Sequence, residues 1–174
     1  MYRNSTDEEK KITIQTNFLG VVQLTEKFIP LLPADGKIIM VSSTLGQLGF
    51  QGETLRKALE DPKLDLNRLH EIANNFLELT KDFKPSQFGV ESSYPGSKAL
   101  LNFYVKTVLP TQLGSNQQVY ALCPGWCATD MGVEGVPLSA AEGADTPVYL
   151  IELPFRKDDE LNAKFFSKRA IQSY

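Results

Sequence analysis

Tyr94 and Lys98 stand four residues apart in Tyr94-Pro95-Gly96-Ser97-Lys98, at the head of a stretch with apolar residues at helical spacing. One helical turn sets such a pair on the same face. A phenol with a pKa of about 10 is a poor acid or base at neutral pH, and general acid–base catalysis works best when the pKa lies nearer ambient. A lysine charge about 4 Å away, at an effective dielectric of about 20, is worth about 4 kcal/mol, on the order of three pKa units. The pair therefore suits proton transfer. The spacing alone is a weak signal, because a helix can hold a packed tyrosine and a solvated lysine by chance.

Two further segments raise its weight. Lys37-Ile38-Ile39-Met40-Val41-Ser42-Ser43 is a short apolar run without alternation, as expected of a strand buried on both faces of a parallel sheet, and it ends in two hydroxyls. Open α/β sheets bind ligands at the C-terminal ends of their strands. Successive strand residues point to opposite faces, so Ser42 or Ser43 faces a site there, but not both. A second strand, Gln118 to Cys123, runs into Pro124-Gly125-Trp126-Cys127-Ala128-Thr129-Asp130-Met131 at the same sheet edge.

The elements that must position these groups follow from periodicity. Residues 12 to 32 carry Phe18, Val21, Val22, Leu24, Phe28, Ile29 and Leu32 at helical spacing, with Thr6-Asp7-Glu8-Glu9 as capping chemistry. A turn at Pro33-Ala34-Asp35-Gly36 precedes the first strand. Residues 53 to 80 read as polar helix broken near Asp61-Pro62, an inserted helical segment over about 52–87. A helix runs from Tyr94 to about Val108, with Pro110 close behind, and a last helix spans Ser139 to Leu153. Lys164-Phe165-Phe166-Ser167 reads as an edge strand. Alternating strand and helix argue for an α/β fold with a parallel sheet.

Composition narrows the function. A net charge of -3, with acidic and basic residues mixed, gives no basic face for nucleic acid and no polybasic run for lipid. The apolar runs are too short to cross a bilayer and no signal-peptide core opens the chain, so a cytoplasmic protein is expected. Cys123 and Cys127, with His70 as the one histidine, make no metal set and read as reduced thiols. His70, in a charged stretch, reads as a solvated helix residue.

The order Asn17-Phe18-Leu19-Gly20, Val41-Ser42-Ser43, Tyr94-Pro95-Gly96-Ser97-Lys98, Pro124-Gly125-Trp126 resembles the short-chain dehydrogenases/reductases over nearly the whole chain. The segment between Ser43 and Tyr94, and the tail Ala141-Glu142-Gly143-Ala144-Asp145-Thr146-Pro147-Val148-Tyr149 through Phe165-Phe166-Ser167-Lys168-Arg169, look like the monomeric NADPH-dependent carbonyl reductases. The resemblance implies a Rossmann-type doubly wound parallel sheet. It implies that Tyr94 gives a proton to a small-molecule carbonyl, that Lys98 binds the cofactor ribose and lowers the tyrosine pKa, and that Ser43 holds the carbonyl oxygen. Asn17 matches the asparagine that keeps a water in line with the lysine; the residue-level alternative is a backbone hydrogen bond within its own helix. Pro124, Gly125, Cys127 and Thr129 would border the nicotinamide, Trp126 the substrate, and the complete protein would be monomeric.

The family's glycine-rich turn, where backbone N–H groups and a helix N-terminus meet the pyrophosphate, has no counterpart among these 174 residues. Residues 1–174 are thus expected to be the C-terminal part of one such domain, with the N-terminal half absent. The strand Ile38 to Val41 would then have an apolar edge open to aggregation or to pairing with another chain. The alternatives are a noncatalytic remnant acting as a protein-interaction module, and a half completed by a separate N-terminal chain.

Overall fold

The computed structural model describes residues 5–84, 92–130, 136–154 and 160–174. Met131 and the stretch 85–87 at the end of the expected helical segment lie outside the described residues. The first helix starts earlier than apolar periodicity suggests, because Thr6 closes a reciprocal cap. Glu9 N–H donates to the Thr6 hydroxyl at 3.2 Å, and Thr6 N–H donates to the Glu9 carboxylate at 2.8 Å. From there α1 (Asp7–Ile14), a π turn (Gln15–Leu19) and α2 (Gly20–Phe28) form one continuous rod, ending in a 3-10 turn at Ile29–Leu31. The π turn buries Phe18 completely and turns Asn17 toward a later helix.

Strand β1 (Lys37–Val41) follows, then two 3-10 turns (Thr44–Gly46, Leu48–Phe50) and three short helices, α3 (Glu53–Leu59), α4 (Leu66–Asn74) and α5 (Phe76–Leu79). Their break falls at Asp61-Pro62, where the Asp61 carboxylate accepts from Lys63 N–H at 2.9 Å. Leu55, Leu59, Leu69, Ile72 and Phe76 are their buried stripe. His70 is not solvated as expected: its ring stands edge-on to Phe18, 6.4 Å between centroids, with Nε2 buried. The amphipathic face of α4 turns that position inward.

Helix α6 (Ser93–Phe103) passes through a second π turn (Tyr104–Val108) into α7 (Leu109–Gln112), so the rod continues past Pro110 instead of stopping at Val108. The wide turn lies just ahead of the proline, whose missing N–H would interrupt an α ladder. Strand β2 (Gln118–Cys123) is buried at every position. Helices α8 (Ala140–Gly143) and α9 (Asp145–Glu152) follow a second reciprocal cap made by Ser139 and Glu142. Strands β3 (Phe165–Ser167) and β4 (Ala170–Gln172) close the chain.

The sheet order is β1-β2-β3-β4, parallel except for β4. The reading of residues 164–167 as an edge strand is corrected: β3 is interior, and the antiparallel β4 forms the edge. The hairpin turn puts Lys168 and Arg169 at φ 52° and 58°, without the Asn-Gly signature that would have announced it. One face of the sheet packs Met40, Val119, Ala121 and Phe165 with Phe18, Val22, Leu100 and Tyr104. The other packs Tyr120, Leu122 and Phe166 with Leu150 of α9, with Ile39 partly buried against them.

Candidate active site

Ser43 leaves β1 in extended conformation and caps the following 3-10 turn, its hydroxyl accepting from Leu45 N–H at 3.2 Å. The same side chain is hydrogen-bonded to the Tyr94 phenol. Ser42, one residue earlier, points the other way and donates its hydroxyl to the Lys98 carbonyl at 3.3 Å. Strand alternation thus divides the two serines, one to the tyrosine and one to the helix backbone. The 3-10 turn sits hard against α6. A Cβ on Gly46 would lie 2.6 Å from the Lys98 carbonyl carbon, so only glycine lets β1 deliver Ser43 this close.

Lys98 is one turn after Tyr94, as the spacing requires, with its ammonium 5.8 Å from the centre of the tyrosine ring. It donates to the Val41 carbonyl at 3.0 Å. Asn17 does not spend its side chain on its own helix. Its Nδ2 donates to the Ser97 hydroxyl at 3.1 Å, and that hydroxyl donates to the Tyr94 carbonyl at 2.8 Å. Ser97 is fully buried. Asn17 is therefore tied to the turn that carries Tyr94 and Lys98.

Burial pushes the Tyr94 phenol up from its ordinary value, and the hydrogen bond from Ser43 draws it partly back. Burial pushes the Lys98 ammonium down. The sequence argument has the lysine charge lowering the tyrosine. Here desolvation dominates instead, since the ammonium is engaged at Val41. Tyr94 therefore keeps its proton at neutral pH, the state a proton donor needs. The Cys123 side chain also acts electrostatically on both groups, which places the end of β2 beside the same site.

The loop after β2 is open. Gly125 adopts φ 88°, and a side chain there would meet Leu138 Cδ1 at 2.5 Å, so the turn needs glycine. Pro124 is half-buried, Trp126 is 49% exposed and Thr129 is exposed. Cys127 pairs with Leu138 in an isolated parallel bridge. Its sulfur packs under Gly143, lying 3.5 Å from the Pro124 carbonyl. Cys127 is thus a packing residue whose backbone borders the loop. A hydroxyl and an ammonium beside strand ends and an open loop fit the nicotinamide and ribose end of a dinucleotide. Among the described residues, no glycine-rich turn opening a helix is present to take a pyrophosphate. No cluster of metal-ligating side chains is found among them either, and no helix is long and apolar enough to cross a membrane.

Sequence reasoning missed three groups. Ser97 stood inside the motif, but nothing in its spacing revealed that it joins Asn17 to Tyr94. Cys123 was legible only as a strand end. The Val41 carbonyl, as backbone, gives no sequence signal.

No family model matches the chain. It is 31% identical over 155 residues to the NADPH carbonyl reductase 1 of Sus scrofa, covering 84% of this chain and 53% of that protein. It is 34% identical over 175 residues to the (+)-neomenthol dehydrogenase of Capsicum annuum, covering 94% and 53%. Among solved structures, salutaridine reductase from Papaver somniferum superposes with a TM-score of 0.79 at 29% identity, over 94% of this chain and 56% of that one. The chain spans about half the length of the curated relatives it matches. With the α/β sheet and these matches together, the chain belongs to the short-chain dehydrogenase/reductase family.

Proposed function

We propose that this chain is the catalytic portion of a carbonyl reductase-type oxidoreductase, one that reduces an aldehyde or ketone to the alcohol with NADPH in the cytoplasm. The observation that carries the reading is the hydrogen bond between Ser43 and the Tyr94 phenol at a strand end, one helical turn from Lys98. Relatives named as carbonyl reductases support it. So does the exposed Pro124–Thr129 loop beside the strand ends, where a nicotinamide would lie.

Lys98 and the loop from Pro124 to Thr129 would hold the dinucleotide, which would supply a hydride for the carbonyl carbon. Tyr94, held protonated by burial, supplies the proton to the oxygen, which leaves an alcohol and a phenolate. Ser43 is placed to hold the carbonyl oxygen toward Tyr94. Lys98 reaches the ribose hydroxyls once its ammonium leaves Val41, and its charge then stabilises the phenolate. Asn17, through Ser97, fixes the turn that aims both residues. Trp126 offers an aromatic wall to the substrate. General acid catalysis of this kind contributes about 10²- to 10⁴-fold.

The test compares this chain alone with the chain fused to the part of the Capsicum annuum relative that lies outside the match. NADPH binding is followed by fluorescence, and NADPH oxidation with an aromatic aldehyde by absorbance, each beside Tyr94→Phe. Turnover by the fusion that falls about 10²-fold or more in Tyr94→Phe is expected. A fusion that binds NADPH yet turns over nothing would overturn the reading in favour of a noncatalytic interaction module.

A further inference from the structure

The short helices after β1 meet the catalytic helix around a cavity of about 570 Å³. One wall is the connection from α3 to α4, and the other is the end of α6 with the π turn that follows it. The floor is apolar, because Leu59, Leu64 and Phe103 are buried there and Leu48 packs on the same core. The volume lies in the ordinary range of small-ligand sites, about 300–1,000 Å³. At 1.5 Å per residue, Phe103 stands about 13 Å along the helix from Tyr94. The cavity is therefore distinct from the candidate active site.

The two walls carry opposite charge, Glu60 and Asp61 on the connection and Lys106 on the π turn. Asp61 is fixed in place: its carboxylate accepts from Lys63 N–H at 2.9 Å and its carbonyl from Leu64 N–H at 3.0 Å. Glu60 reaches Arg56 only at 4.0 Å. No carboxylate among the described residues pairs with Lys106, whose ammonium lies 4.8 Å from the centre of the Phe103 ring and 5.4 Å from that of Tyr174. Tyr174 is anchored in turn, its hydroxyl donating to the Ala163 carbonyl at 2.7 Å. A cation held by ring faces keeps N–H donors for an anion. Thr107, beside it, donates its hydroxyl to the Phe103 carbonyl at 2.7 Å, so its oxygen faces the cavity as an acceptor only.

We propose that this cavity binds a free α-amino acid with a large apolar side chain, as the zwitterion. Lys106 takes the carboxylate, while Glu60, Asp61 and the Thr107 oxygen take the ammonium. The side chain enters between Leu59, Leu64 and Phe103. Both charges of the ligand are needed. A simple carboxylic acid sets its charge against Glu60 and Asp61, and a simple amine sets its charge against Lys106, so only a molecule with both signs a few bonds apart suits both walls. The ligand thereby bridges the α3–α4 connection to the helix that carries Tyr94 and Lys98. The inference goes beyond the proposed reductase reading and does not depend on it.

The experiment is isothermal titration calorimetry on the 174-residue chain with L-phenylalanine, with hydrocinnamate, which lacks the ammonium, and with phenethylamine, which lacks the carboxylate. L-Phenylalanine should bind at least about fivefold more tightly than either analogue, the worth of one partly exposed charge pair. Lys106→Met should erase its advantage over the amine and keep its advantage over the acid. The double variant Glu60→Gln with Asp61→Asn should do the reverse, and Lys106→Arg should keep the wild-type order. These ratios compare ligands on one protein, so a general loss of stability does not mimic them. Circular dichroism checks folding, and the acidic-wall variant carries the test should Lys106→Met fail to fold. Tyr94→Phe should bind all three ligands as wild type does, whatever its turnover, so failure of the reductase reading stays separate. No measurable binding of L-phenylalanine, or equal binding of the three ligands, would overturn the proposal. So would wild-type ratios in the wall variants that fold.

Discussion

Replacing Gly96 with alanine tests how the short helices after β1 are keyed to the catalytic helix. Gly96 lies in the first turn of α6, between Tyr94 and Lys98, and a methyl there would overlap Cε2 and Cζ of Phe76 while resting at an ordinary 3.5 Å from Leu55 Cδ2. Phe76 is 3% exposed, so its ring has no solvent to retreat into. Alanine gains about 0.5–1 kcal/mol over glycine in a helix, whereas overpacking a well-filled core costs about 1–3 kcal/mol. The core term wins. Gly96→Ala should lower stability by about 1–2 kcal/mol in urea unfolding, with the denaturant slope unchanged. Phe76→Leu opens the space the methyl needs. The double variant should therefore be more stable than the sum of the two singles by about 1 kcal/mol or more. An additive cycle, or a Gly96→Ala protein at least as stable as the parent, would refute the claimed contact. Tyr94 and Lys98 flank the residue, so the same variant should also disturb their turn, visible as a shifted Tyr94 ring resonance.

Three other outcomes are expected. In Ser43→Ala the Tyr94 phenol loses the hydrogen bond that draws its pKa down, so its titration, followed by NMR of labelled tyrosine, should move further upward; a downward move would show that the bond favours the neutral phenol. Tyr94 and Tyr174 are both pushed up by burial, and Tyr104 is pushed up to about 12 from 10.0. Their folded pKa values lie above the unfolded ones, so the stability they contribute is complete below pH 10 and is lost as pH rises from there through about 12. Urea midpoints measured between pH 8 and 12 should fall above 10, and a flat profile there would contradict the burial of these phenols. Lys37→Met removes a cation from the carbonyl end of α9 and should cost about 1–2 kcal/mol in thermal or urea unfolding, with salt narrowing the difference from the parent.

Much of this protein was legible before any tertiary contact was known, because local chemistry fixed it. The unalternating runs Lys37 to Val41 and Gln118 to Cys123 announce strands of a parallel sheet, though only the second is buried throughout and Val41 stands exposed, and Thr6-x-x-Glu9 and Ser139-x-x-Glu142 mark helix starts. Tyr94 and Lys98 share a face by helix geometry alone. Alternation required Ser42 and Ser43 to part, though not which would meet the tyrosine. That choice belongs to packing, through Gly46 lying against the Lys98 backbone.

The remainder depended on groups far apart in sequence or without a side-chain signature. Strand β4 escaped notice because its residues are all exposed and its turn uses Lys168 and Arg169 in left-handed conformation. The link from Asn17 through Ser97 to Tyr94 spans 80 residues of sequence, and no local pattern encodes it. The position of the Lys98 ammonium mattered most. Sequence set it one turn from the tyrosine and made it the source of a lowered pKa, but the open edge of β1 offers a backbone carbonyl that holds it. An ammonium settles where its donors are satisfied. Only the folded sheet determines which acceptors lie within its reach.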